Sequence, residues 1–149
     1  MIKVVFVSSL KEFVDLLADA IPDPDSGEML VKKYNVHLSD DFRGQYIAIV
    51  TPEGVQSNPT SRSSNYSNYM VGIYCMYFKD TDDDFVEARE KYLAWVDKVF
   101  DAFHLKNFGG AQYVTCDFKL SSGEFGKMTE SVIRGVVSLN IRKTAFVNN

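Results

Sequence analysis

The sequence predicts an α+β fold: a central, mostly antiparallel sheet of about four strands, packed by an N-terminal helix and one long crossover helix. Three observations carry this expectation. Two segments, 10–20 and 85–103, repeat apolar residues at helical spacing. Four others, 45–51, 69–78, 113–120 and 132–147, read as strands through alternation or unbroken apolar runs. Their order gives two hairpins joined by a helical crossover, not the regular alternation of a parallel sheet. At 149 residues the chain fits a single domain over 1–149. A domain of that size buries roughly 68–70% of its unfolded surface, so its core needs no metal or disulfide.

The first helix is signalled by Ser9 and Glu12, which fit a capping box, and by Leu10, Phe13, Val14, Leu17 and Ala20 on one stripe. Pro22 and Pro24 stop it. Residues 23–42 read as a polar loop or a short helical turn around Met29, Leu30 and Val31. The run Gln45–Thr51 reads as a strand between Gly44 and the turn signal Pro52–Glu53–Gly54. Residues 52–68 follow, dense in Ser, Asn, Pro and Gly without periodicity. They are expected to form a long flexible loop, of a length that suits a contact segment.

Tyr69–Phe78 is continuously apolar, as expected of a central strand buried on both faces. It runs into Asp80–Asp84 and a helix whose stripe is Phe85, Ala88, Tyr92, Val96, Val99 and Phe103. Val114, Cys116, Phe118 and Leu120 share one face of the next strand. In the last, Ile133, Val137, Leu139 and Ile141 oppose Arg134, Ser138, Asn140 and Arg142. A glycine-containing loop, Ser121–Glu130, joins the two.

The acidic run Asp80–Asp84 fails as a calcium loop, with Phe85 where the turn glycine belongs and Lys91 where the bidentate glutamate belongs. It reads instead as helix capping by Asp80 or Thr81, with the remaining acids at the positive end of the dipole. His104 falls at a helix C-terminus, where a protonated imidazole is favoured; His37 falls in a loop. Cys75 and Cys116 sit in apolar strand runs and read as buried free thiols. No zinc-ligand spacing and no phosphate-binding glycine motif occurs. The expectation is a non-enzyme without cofactor or metal.

A net charge of −4 argues against a free-standing nucleic-acid binder, but not against a ring through which DNA passes. Residues 1–30 hold six acids against two lysines, whereas 119–143 hold five bases against two acids, an asymmetry that suits either a subunit-to-subunit contact or a surface with no function of its own. The N-terminal apolar run is too short for a signal peptide, and no run approaches the ~18 residues of a membrane span. The chain is expected to be made and kept in the cytoplasm unless something else carries it out.

The N-terminal helix, the strand QYIAIVT, the segment YMVGIYCMYFKDTDDD leading into FVEAREKYLAWVDKVF, and the closing VIRGVVSLNIRK together resemble the tail terminator family of long-tailed bacteriophages. That family includes lambda-type terminators and small neck proteins of phages infecting Gram-positive hosts. The likeness spans about 5–147 in pattern, without a diagnostic motif. It implies a hexameric ring that caps the tail tube, ends its polymerisation and offers a surface to the head connector, located in the virion. Implied partners are the chain itself, the tail tube protein and the neck proteins, with DNA only in transit. Arg62, Tyr66, Tyr69, Arg134 and Arg142 are the candidate interface residues. Another head–tail joining protein, or a small cytoplasmic enzyme or ligand-binding domain, stays open at this stage.

Overall fold

The computed structural model describes residues 9–25, 27–34, 43–59, 64–80, 82–106, 113–120 and 132–146, with side chains left aside at 58, 59, 64–66, 113 and 144–146. Two helices, α1 (Leu10–Ala20) and α2 (Phe85–Phe103), lie on a five-stranded sheet. Its strands are β1 (Glu28–Lys33), β2 (Gln45–Pro59), β3 (Ser64–Phe78), β4 (Tyr113–Leu120) and β5 (Val132–Phe146). The spatial order is β1-β2-β3-β5-β4, antiparallel throughout except for the parallel β1–β2 pair. The α+β class and the two hairpins joined by α2 are as the sequence predicts.

α1 begins where its cap predicts: the Ser9 hydroxyl accepts the Glu12 amide at 3.2 Å. Phe13, Val14, Leu17 and Ala18 are buried, whereas Ala20 faces solvent. In α2 the stripe also includes Trp95 and excludes Phe85, which is exposed. Both helices pack on the sheet face formed by Tyr46, Ala48 and Val50 of β2, Val71, Ile73, Cys75 and Tyr77 of β3, and the odd-numbered apolar residues of β5. Period-two alternation makes this inevitable, because one strand face must be apolar to receive a helix stripe.

Two segments differ in secondary structure from expectation. The island at 29–31 is neither loop nor helical turn but the edge strand β1, in register Glu28↔Gln45 through Lys33↔Val50. Its run of three apolar residues has no alternation to read, and the parallel ladder to β2 decides its state. The expected loop at 52–68 is mostly strand. Pairing continues through Val55↔Tyr69 and Ser57↔Ser67 to Pro59↔Asn65, and the Ser57 and Ser67 hydroxyls meet at 2.9 Å. The turn signal Pro52–Glu53–Gly54 is absorbed as a bulge within β2, where the register shifts between Pro52 and Gly54. Residues 60–63, with Arg62, lie outside the described residues, as do Ile2–Val7, His37, Gly109–Gly110 and Ser121–Glu130.

The hairpin therefore forms an arm. β1 pairs with β2 only as far as Val50, and β4 pairs with β5 only as far as Arg142. Beyond those points β2, β3 and β5 continue as a three-stranded extension to the Ser64↔Phe146 pair.

β3 is central, but its two faces differ. Val71, Ile73, Cys75 and Tyr77 join the helix-covered core, while on the other face Met76 packs with Ile47 and Ile49, and Tyr74 is 42% exposed. The expectation that both faces are buried is thus corrected at Tyr74. An unbroken apolar run cannot show which face carries the helices.

Candidate functional site

Sequence-predicted interface residues divide between the two sheet faces. Arg134 and Arg142 share the face away from the helices, as the alternation predicts, yet eight residues of strand separate them by roughly 26 Å. Tyr69 lies on the helix face with its ring 4.9 Å from that of Phe13, so it braces α1 against the arm. Tyr66 belongs to the arm, paired with Asn58 and Thr144. Among the described residues, Tyr69, Arg134 and Arg142 do not converge on one spot.

The acidic turn at 80–84 is a structural brace with a different cap from the expected one. Asp84 is the N-cap of α2 and makes no side-chain cap bond. Asp83 accepts the Tyr77 hydroxyl at 2.6 Å and the Asp80 amide at 2.9 Å, while its own amide donates to the Asp80 carbonyl at 3.1 Å. Tyr77's hydroxyl, followed by the Asp80 amide, holds the Asp83 carboxyl below its usual range; burial, then Asp83, pushes the Tyr77 phenol up. The cavity between this turn, Tyr46 and Tyr77 is about 170 Å³, below the roughly 300 Å³ at which small-molecule sites begin.

Asp83→Ala is expected to cost about 1–2 kcal/mol at neutral pH, because the half-buried Tyr77 hydroxyl loses its acceptor. Since folding lowers the Asp83 pKa, its contribution is full above the unfolded value of about 3.9 and is lost as pH falls through the folded one. Urea titrations should therefore show the wild-type and Asp83→Ala curves converging between pH 5 and the acid limit of folding (roughly pH 2–3). A gap independent of pH would remove the charge from the explanation.

Neither cysteine is placed for chemistry. Cys75 and Cys116 are free and buried, and burial pushes both thiols up to about 12. A thiolate is the nucleophilic form, so this environment opposes reactivity. The Tyr92 hydroxyl donates to the Cys75 carbonyl at 2.7 Å, tying α2 to the central strand.

His104 is also structural. Its Nδ1 accepts the Cys116 amide at 3.1 Å, and the Leu105 amide donates to the Val114 carbonyl at 2.6 Å. The ring thereby ties the end of α2 to β4. Leu105 adopts φ of 59°, which only a fixed turn justifies for a leucine. Together these bonds cover part of the outer edge of β4.

One cross-strand row stands out on the face away from the helices. Lys32, Ile49, Tyr74, Val136 and Lys119 are direct register partners across all five strands. An exposed aromatic thus sits between two aliphatic residues, with a lysine on each outer strand, roughly 19 Å apart at ~4.8 Å per strand. Sequence reasoning missed this row. Alternation gives the faces of Val136 and Lys119, but not those of Lys32 or Tyr74, and the register that aligns five strands is not local information.

Among the described residues no group of three His, Cys, Asp or Glu side chains could hold a metal ion. No described helix is long and apolar enough to cross a membrane. No protein-family model matches the chain, and no curated protein matches it closely enough to indicate kinship.

Proposed function

We propose that this chain is a phage structural protein of the tail-terminator kind, assembling with itself into a ring that caps the tail tube. In this role it ends tail polymerisation and offers the head connector its docking surface in the virion neck. The observation that carries the reading is the arm. β2 and β3 run past the helix-covered body, and Gly54–Pro59 and Ser64–Tyr69 contain no charged residue. Glu53, Val55, Gln56 and Ser57 are exposed, so this part of β2 adds little to the chain's own core. Long ordered strands that bury little of their own chain are the economy of a protein that completes its packing in an assembly. The family pattern supplies the ring and its six-fold count.

Sedimentation and negative-stain electron microscopy of the purified chain, alone and with tail tubes, test this. Six-membered rings, or a monomer that becomes a ring on tube ends and halts their growth, are the expected result. A strictly monomeric chain that ignores tube ends would overturn the reading, and rings that bind the head connector but not the tube would make it another neck protein.

A further inference from the structure

We propose that the sheet face centred on Tyr74 docks on the start of α2 of a second copy, a head-to-tail contact between two different patches of the same chain. This deepens, and rests on, the self-assembly reading above.

The receiving patch is the row just described: Tyr74 flanked by Ile49 and Val136, with Lys32 and Lys119 at its ends. Arg134 lies one row toward the body, beside Met76. Glu53, over Gly72, and Asp117, paired with Ser138, lie one row toward the arm, so positive charge is concentrated on the body side.

The entering patch is the first turn of α2. Phe85 and Val86 are 43% and 61% exposed, an uncommon place for two large apolar side chains on a helix whose other apolar residues are mostly turned inward. Residues 80–91 hold six acids, among them Asp82, Asp84, Glu87 and Glu90, against Arg89 and Lys91. An apolar knob ringed by carboxylates therefore matches an aromatic patch ended by lysines. Opposite potentials at the rim set orientation, while the apolar centre supplies affinity.

The second copy is favoured over other occupants because both halves of the match are on this chain. Their apolar centres, Tyr74 on one side and Phe85 with Val86 on the other, are left exposed by its own fold, although Ile49 is buried and Glu87 pairs with Lys91 at 3.0 Å. Two unlike patches also make a heterologous contact, which closes into a ring or continues as a filament, whereas a self-complementary patch would stop at a dimer. Sheet continuation through β4 is less suited, since the His104 and Leu105 bonds already occupy part of that edge.

A charge swap tests the contact. Lys32→Glu/Lys119→Glu and Glu87→Lys/Glu90→Lys are compared with wild type by sedimentation, with circular dichroism confirming that each variant folds. Each double variant alone should associate about tenfold more weakly, and an equimolar mixture should regain wild-type assembly because every contact then pairs opposite charges again. Val86→Ser, at an exposed position, should weaken association without changing the unfolding midpoint. If both charge variants assemble like wild type, or if mixing restores nothing, this contact is wrong while self-assembly stands. Loss of binding to a single-stranded oligonucleotide in the lysine variant, with assembly unchanged, would overturn it in favour of a polyanion. A wild-type chain that never self-associates, alone or on tail tubes, removes the functional reading itself.

Discussion

Replacing Trp95 by alanine is expected to lower the free energy of unfolding by about 3–5 kcal/mol, the range for deleting a large buried aromatic side chain. Trp95 is 1% exposed and is the chain's only tryptophan. Its ring meets Tyr46 edge-on at 5.2 Å and Tyr92 at 6.2 Å, so it joins α2 to the sheet and to its own helix. Its indole N–H donates to the Pro22 carbonyl at 3.0 Å, and Lys98, one turn on, reaches the Asp23 carbonyl at 3.0 Å and the Asp25 carboxylate at 2.8 Å. Trp95 therefore also fixes the segment by which the chain leaves α1 for β1. Trp95→Phe should cost less, about 1–3 kcal/mol, because it keeps most of the packing and loses the hydrogen bond. Far-ultraviolet circular dichroism in urea is the readout, since intrinsic tryptophan fluorescence disappears with the residue. A loss below about 1 kcal/mol for the alanine variant would mean the helices are held to the sheet elsewhere.

The same residue shows what the sequence could and could not tell. Helical spacing placed Ala88, Tyr92, Val96, Val99 and Phe103 correctly, since a period of 3.6 is local information. Trp95, three residues after Tyr92 and four before Val99, lies on the same stripe and belongs with it, whereas Phe85 was wrongly included, because its position at the helix start puts it beyond the sheet's cover. The faces of β5 were legible for the same reason: alternation alone separates Ile133, Val137, Leu139 and Ile141 from Arg134 and Arg142. The arm was not legible. Ser57, Asn58, Ser67 and Asn68 have turn-like propensities, and they are extended through cross-hairpin pairing, with the distant β5 added along Ser67 and Asn68. β1 was hidden likewise by a ladder that depends on β2. The candidate surface follows that rule. Tyr74, Lys32 and Lys119 lie 42 and 87 positions apart along the chain, counted from Lys32, and only the register of four ladders brings them into one row.

Gly135→Ala is expected to destabilise the fold by about 1–3 kcal/mol, the cost of overpacking a closed site. Gly135 is buried in β5 between Cys75 on β3 and Leu120 on β4. A methyl group there would stand 2.7 and 2.8 Å from the Phe118 ring and 2.9 Å from the Lys119 carbonyl oxygen. The ring lies diagonally across the strand pair and covers the glycine, replacing the side chain that β5 lacks. Shortening it in Gly135→Ala/Phe118→Leu should recover part of the loss, with a coupling of about 1 kcal/mol, but the backbone oxygen cannot withdraw without moving β4. Complete recovery in that double variant would show that the ring alone creates the crowding, and additive losses would show that ring and methyl never meet. A displaced β4 also carries Lys119 out of its row with Tyr74. Gly135→Ala should therefore weaken self-association at temperatures where the chain is still fully folded, an effect that a uniform loss of stability would not produce.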